Sequence, residues 1–500
     1  MSDFEQKKIP FRRKDSAPRF GKAPAHKEGM NRKPFEKKKP FVRKENAKPE
    51  KKENSVSEAR MAALRALYDV YFANAYSNLS LDKQLRAARM SDEDKRLATN
   101  IFYQCVENRS KLDFVLSPYI KAEPEQIVKC ILHIAAAQLL FMDRVPAHAA
   151  VNEAVNQTRI FKKDEASGFV NGVLRSLLRD KESSSLHLPK KEDGLKAYLE
   201  IEYSASADTV DELISEFGEE EAEQILSYKP KERFETVRVN LLKADDAQLE
   251  KALDDMSAKW ERSVVPHAYR IYKAGNLAQT TQYTQGLFSL QGESAMLAAL
   301  AVEPKRGMSI LDACAAPGGK ASFICELMQG TGRVHAWDLH EHRVELMKQN
   351  ARRLGLDNLR CAVRDATALK SDLALTQDAV IVDAPCSGFG VVADKPDITR
   401  HFTKARLAEL VSTQKRLLDA CCEYVKPGGL LVYSTCTLLK PENEEQVENF
   451  LRSHPDFKPE TSTDYLPESL REKAKDGMIR LTGHKHGLEG FFIARLRRVR

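Results

Sequence analysis

Five apolar runs between residues 308 and 436 each stop at a side chain capable of chemistry. Met308-Ser309-Ile310-Leu311 reaches Asp312, Arg333-Val334-His335-Ala336-Trp337 reaches Asp338, and Arg360-Cys361-Ala362-Val363-Arg364 reaches Asp365. Ala379-Val380-Ile381-Val382-Asp383-Ala384-Pro385 reaches Cys386, and Leu430-Leu431-Val432-Tyr433-Ser434-Thr435 reaches Cys436. Short buried strands alternating with helices predict an open parallel sheet, because a parallel pair needs a long crossover connection. In such a doubly wound α/β domain, ligands bind outside the carboxyl ends of the strands. The pattern therefore puts three acids and two thiols on the edge where chemistry happens. A thiol becomes the strongest ordinary side-chain nucleophile once it is a thiolate.

The first run continues as Asp312-Ala313-Cys314-Ala315-Ala316-Pro317-Gly318-Gly319-Lys320 before a helix at about Ala321. Small residues let backbone N–H groups and a helix N-terminus approach a ligand closely. Asp338 stands about twenty residues on, where this fold places the carboxylate that grips ribose hydroxyls. Asp365 is expected at the adenine amino group. Neither the dinucleotide fingerprint nor a phosphate-binding Walker loop is present. The layout predicts S-adenosyl-L-methionine, held by Cys314, Ala315, Ala316, Pro317, Gly318, Gly319, Lys320, Asp338, Asp365 and Asp383. Ordinary capping of strand-to-helix turns by aspartate is the plainer alternative, but it does not account for all three acids with one small-residue loop. His335, His340 and His342 form no metal-ligand spacing, so no metal is expected.

Five hundred residues exceed what one hydrophobic core usually supports. Residues 1–55 hold 18 Lys and Arg against 8 Asp and Glu, a net of +10, while the whole chain carries +7. The rest of the chain is thus slightly acidic, and the basicity belongs to a tail predicted to be disordered. It reads as an arm that adds salt-dependent affinity for nucleic acid. Residues 56–181 read as an all-α domain: Met61, Leu64, Leu67, Tyr68 and Tyr71 recur at helical spacing behind a candidate N-cap, Ser57. A second helix is predicted from about Ile127 to Met142, followed by others at Val151–Phe161 and Ala166–Leu178. Residues 182–232 read as a helical linker region and 233–300 as a small α+β unit, with a strand at Glu235–Asn240 and a helix at Ala247–Met256. The α/β domain is expected over 301–500. The nine cysteines include no CxxC pair and read as reduced thiols. No secretory leader is evident, and the longest apolar stretch, Ile131–Met142, is too short to span a bilayer. A cytoplasmic protein with no membrane partner is expected.

Two resemblances add to this reading. Val145-Pro146, Val151-Asn152-Glu153-Ala154-Val155 and Phe169-Val170-Asn171-Gly172-Val173-Leu174-Arg175 resemble the RNA-binding NusB domain. Asp312–Lys320, Asp383-Ala384-Pro385-Cys386-Ser387-Gly388, Ser434-Thr435-Cys436-Thr437 and His486–Arg495 together resemble the RsmB/Nop2/Sun family of RNA cytosine-5 methyltransferases, over about residues 286–500. The second resemblance implies a Rossmann-like methyltransferase domain, an RNA-recognition-like small subdomain and a monomer acting on small-subunit ribosomal RNA. It also implies that Cys436 is the nucleophile and that Cys386 assists proton removal and release, roles that the residues alone leave interchangeable. Asp383 is expected to bond the cytosine edge, and Lys320 to lower a thiol pKa. The target base must leave its stack to meet both thiols, so open RNA is the expected substrate. This chain departs from the family at Gly292-Glu293-Ser294 and at Tyr203–Asp208. Two other classes stay open at this point. One is a non-catalytic RNA-binding factor, against which the intact loop and both cysteines argue. The other is an exocyclic-amine methyltransferase, against which Asp-Ala-Pro-Cys argues.

Overall fold

The computed structural model describes residues 56–73, 75–273 and 275–500. The predicted basic arm lies outside the described residues. The first elements are helices α1 (Glu58–Phe72), α2 (Ser77–Ala87), α3 (Asp92–Glu107), α4 (Arg109–Leu116), α5 (Gln126–Phe141), α6 (Ala147–Ile160) and α7 (Ser167–Glu182). Ser57 caps α1, its hydroxyl accepting the Arg60 amide at 3.4 Å, a cap worth about 1 kcal/mol. Helix α5 is buried along most of its length, which is why it reads as apolar with no polar stripe. Leu64, Phe102, Ile131 and Leu174 meet in the core around it. Glu153 on α6 accepts the Ser57 amide at 2.9 Å and pairs with Arg60 at 3.1 Å, and Arg60 donates to Gln138 on α5 at 2.7 Å. This motif residue thus ties three helices together. Gly172 sits exposed on α7 with open space around it, and nothing in the packing explains its cost there.

Helices α8 (Leu195–Glu202), α9 (Ala207–Phe217) and α10 (Glu219–Ser227) follow. They share a hydrophobic cluster, including Leu199, Val210 and Leu213, with Phe389, Phe402 and Leu438 of the C-terminal region. What reads in sequence as a connecting segment is therefore a buttress behind loops of the C-terminal region. Strands β1 (Glu235–Val239), β2 (Lys259–Arg262), β3 (Ala268–Lys273) and β4 (Phe288–Leu290) make an antiparallel sheet in the order β2-β3-β1-β4. Helix α11 (Asp246–Asp255) packs Leu249 and Leu253 against Val237, Val239 and Phe288 of that sheet. A short helix α12 (Thr281–Thr284) precedes β4, and α13 (Glu293–Leu300) follows it. Although α13 falls inside the span assigned to the small unit, its Met296 and Leu297 pack with Ile310 and Phe323 of the large domain.

The large sheet runs β10 (Phe457–Pro459), β12 (Phe491–Arg498), β9 (Val425–Thr435), β8 (Gln377–Asp383), β5 (Ser309–Asp312), β6 (Arg333–Asp338) and β7 (Leu359–Val363), with β11 (Met478–Leu481) paired to β12. The five strands from β9 to β7 are parallel. The other three pair antiparallel, so the sheet is mixed rather than purely parallel. Strand β7 ends at Val363, two residues short of Asp365, which stands exposed in the following loop. Among the described residues no helix is long and apolar enough to cross a membrane.

Candidate active site

Parallel pairing brings the strand ends level. Asp312 registers with Ile381 and with Ala336, Asp338 with Val363, and Asp383 with Ser434. Cys386 and Cys436 lie just beyond Asp383 and Ser434 and so leave the same edge side by side, with their sulfurs 3.2 Å apart. Asp383 joins the cofactor loop to both cysteine strands: one carboxylate oxygen accepts from Lys320 Nζ at 2.6 Å and the other from Ser434 Oγ at 2.8 Å. A carboxylate has about four acceptor positions, so Asp383 keeps capacity for another donor.

The two thiol loops are locked from behind. Glu442 is fully buried and accepts from the Ser387 amide at 2.9 Å and from Gln414 Nε2 at 2.9 Å. Gln414 also holds the Pro385 carbonyl at 2.9 Å. Thr435 donates to Asn443 at 2.6 Å, and Asn443 donates to the Thr437 carbonyl at 3.1 Å. In front, Gly390 N–H donates to the Cys436 carbonyl at 3.0 Å, and Gly490 N–H donates to the Gly390 carbonyl at 2.8 Å. A Cβ on Gly390 would meet the Gly490 carbonyl oxygen at 1.9 Å, so only glycine allows this approach.

Charge distinguishes the two sulfurs. Either sulfur can donate in the Cys386–Cys436 hydrogen bond, and with Cys386 as donor it lowers the Cys436 pKa against the opposing effects of burial and Asp383, with help from Lys320 and Lys395. The same contact raises Cys386 well above an ordinary thiol, and burial and the Glu442 charge add to the rise. Burial works against the charge on Lys320, but Asp383 more than offsets it, so Lys320 stays firmly protonated. The Cys436 side therefore favours thiolate and the Cys386 side favours thiol.

A cavity of about 660 Å³ opens onto this edge. Cys436, Lys320, Asp383, Gln291 and Phe491 line it, whereas Cys386 does not. The other sequence-assigned residues stay outside its wall but share the sheet edge. Gly318, at φ +101°, caps α14 (Gly319–Leu327) and turns Ala315–Gly319 across the end of β5. The Ala315 amide donates to the Trp337 carbonyl at 2.7 Å, which binds the loop to β6. Cys314 packs its side chain into the core. Asp338 accepts the His340 amide at 2.9 Å on one oxygen, while the other has Arg343 no nearer than 3.8 Å. That second oxygen is a free acceptor suited to a ribose diol. Asp365 accepts the Thr367 amide at 2.9 Å and the Thr367 hydroxyl at 2.7 Å, and these bonds hold its pKa low. The donor set fits a nucleoside cofactor. Among the described residues no group of His, Cys, Asp or Glu is placed to hold a metal ion.

Sequence reasoning missed Glu442, Gln414 and Glu489. Glu489 accepts the backbone amides of Glu293 (3.2 Å) and Ser294 (3.0 Å) at the start of α13, and a Cβ on Gly292 would meet its Oε1 at 2.5 Å. The one available signal for Glu442 is its position in Lys440-Pro441-Glu442-Asn443, a polar run directly after a catalytic strand.

Residues 299–497 match the family described as 16S rRNA methyltransferase RsmB/F, and residues 57–179 match the NusB family. The chain is 38% identical to the probable ribosomal RNA small subunit methyltransferase B of Bacillus subtilis, over 88% of this chain and 98% of that protein. The crystal structure of PH0851 superposes with a TM-score of 0.74 at 25% identity, covering 89% of this chain and 100% of that one. NSun6 from Pyrococcus horikoshii with SFG superposes with a TM-score of 0.52 at 25% identity, covering 59% of this chain and 98% of that one.

Proposed function

Because the chain belongs to the RsmB/F family of S-adenosylmethionine-dependent 16S rRNA methyltransferases, we propose that it methylates carbon 5 of a cytosine through a covalent bond from Cys436 to the base. S-adenosylmethionine supplies an electrophilic methyl group when bound. Carbon 5 of cytosine is too weak a nucleophile to take that methyl unaided. Addition of the Cys436 thiolate to carbon 6 turns the ring into an enamine and makes carbon 5 nucleophilic. After methylation, loss of the carbon 5 proton returns its bonding electrons to the ring and expels Cys436 as thiolate. Once Cys436 is bonded to carbon 6 its charge no longer holds up the Cys386 pKa, so Cys386, 3.2 Å away, gives its own proton to solvent and, as thiolate, takes the carbon 5 proton as Cys436 leaves. Asp383 bonds the edge of the cytosine, and Lys320 donates to Asp383 and favours the Cys436 thiolate.

The observation that carries this reading is the asymmetry of the thiol pair. The sulfur facing the cavity is the one beside Lys320, and the sulfur behind it faces Glu442. This supports nucleophile and assistant in the order given. The holding residues for the cofactor are Cys314–Lys320, Asp338, Asp365 and Asp383.

The test is trapping with 5-fluorocytosine in small-subunit rRNA. Fluorine cannot leave as a proton, so the covalent complex should survive denaturation and map to Cys436. Cys436→Ala should form none. Cys386→Ala should accumulate adduct on ordinary RNA, because addition proceeds and release does not. A product methylated on the exocyclic amine, with no adduct, would overturn the proposal.

A further inference from the structure

The wall of the cavity does not belong to the catalytic sheet alone. Tyr103, on α3 of the helical bundle, lines the same space as Cys436, Lys320 and Asp383. Its ring packs edge-on against Phe102 with centroids 5.3 Å apart, and Phe102 is fully buried in the bundle core. The Tyr103 ring is therefore anchored from behind and half-buried in the cleft.

Arg233, just ahead of β1, lines the cavity beside it, with its guanidinium 5.8 Å from the Tyr103 ring centroid. Glu107, one helical turn beyond Tyr103, holds Arg233 at 2.7 Å and Lys229 at 2.7 Å. The Glu107 side chain is only 7% exposed, whereas Arg233 is 66% exposed. Arg233 is thus fixed at one edge and open on its face. Phe234 continues the wall under the Arg270 guanidinium, 4.8 Å from its ring. Anchored aromatic faces with a fixed guanidinium are what unstacked nucleobases lie against. Asp394 and Glu489 also line the cavity. Their carboxylates disfavour a phosphate there and favour an uncharged ring. A volume of about 660 Å³ also has room beyond a single pyrimidine.

We infer that Tyr103 and Arg233 form a stacking subsite for the RNA nucleobase neighbouring the target cytosine, so that the helical bundle and the catalytic sheet grip one strand across the cleft. This rests on the RNA cytosine reading above.

The test uses the full chain and deproteinised small-subunit rRNA, with methyl transfer measured against RNA and cofactor concentration. Tyr103→Leu keeps apolar bulk and removes the ring face. It should raise KM for RNA roughly 5- to 150-fold, the range that one missing base stack implies, with KM for S-adenosylmethionine unchanged. Tyr103→Phe should restore the wild-type KM. Arg233→Ala, at an exposed position, should raise KM in the same sense and stands as the test if Tyr103→Leu does not fold. An unchanged RNA KM in Arg233→Ala and Tyr103→Leu overturns the subsite, as does failure of Tyr103→Phe to rescue. Absence of the 5-fluorocytosine adduct in the wild type would count instead against the reaction itself.

Discussion

Lys320 and Asp312 stand eight residues apart and govern charge at the site in opposite ways. Lys320 lends positive potential to Cys436 and neutralises Asp383. Removing its charge disfavours the thiolate twice over, because Asp383 is then uncompensated. In Lys320→Met the acidic limb of the kcat/KM profile should therefore move to higher pH, and a wild-type profile would refute the assignment. Asp312 is fully buried at the end of β5, and burial pushes its pKa up to about 7. An unfolded aspartate titrates near 3.9. Between these values the native state keeps a proton that the unfolded chain has lost. The resulting stability is fully present below about pH 4 and is lost as pH rises through 7. Asp312→Asn should abolish this loss, gaining up to ~4 kcal/mol relative to wild type between pH 4 and pH 8 in urea unfolding. A difference that stays constant over that range would exclude it.

At the scale of elements, one buried pair couples the small sheet to the cofactor helix. Arg238 on β1 and Glu326 on α14 are both fully buried and form an ion pair, with Arg238 lying 4.3 Å over the Phe323 ring and donating to Gln291 at 3.0 Å. Removing one partner leaves a charge with no counterion in the core, so Arg238→Met should cost about 3–5 kcal/mol. The double variant Arg238→Met/Glu326→Met should recover most of that in the same denaturation assay. Equal losses in single and double variants would show that the pair itself matters little. The pair was not legible in the sequence, because Arg238 sits in an alternating strand where a charged residue reads as solvent-facing. Strands β5, β6, β8 and β9 were legible, since each is a buried apolar run with a polar stop. The antiparallel edge was not, because the continuous apolar run that opens β12 says nothing about direction. The end of β7 was not legible either: the strand stops at Val363, although the Arg364 amide still donates to the Asp338 carbonyl at 2.9 Å, and Asp365 stands in the loop beyond.

At the scale of the whole molecule, the helical bundle is pinned to the loops that follow the catalytic strands. Ser77 on α2 donates to Asp397 at 3.0 Å, and in the helices that follow the bundle the Ser206 amide, at the start of α9, donates to the Thr399 carbonyl at 2.9 Å. The bundle and the wall of the cleft therefore share one frame. The basic arm, with its net charge of +10 over residues 1–55, should neutralise further phosphates along that frame. Deleting it should make the salt dependence of RNA binding shallower, by about 0.7 in log–log slope for each phosphate of single-stranded RNA that the arm had neutralised. An unchanged slope would mean that the arm only solubilises. Sequence by itself determined the classes of element, the edge that carries the chemistry, and the residue types there. These follow from local periodicity and from strand ends, which one stretch of chain encodes alone. Only the tertiary structure decided which thiol faces the cavity, which thiol lies nearer the Lys320 charge, and that Tyr103, far away in sequence, completes the wall. Those depend on the distances of Lys320, Glu442 and α3 from the two sulfurs, and no local pattern in the chain contains a distance between elements.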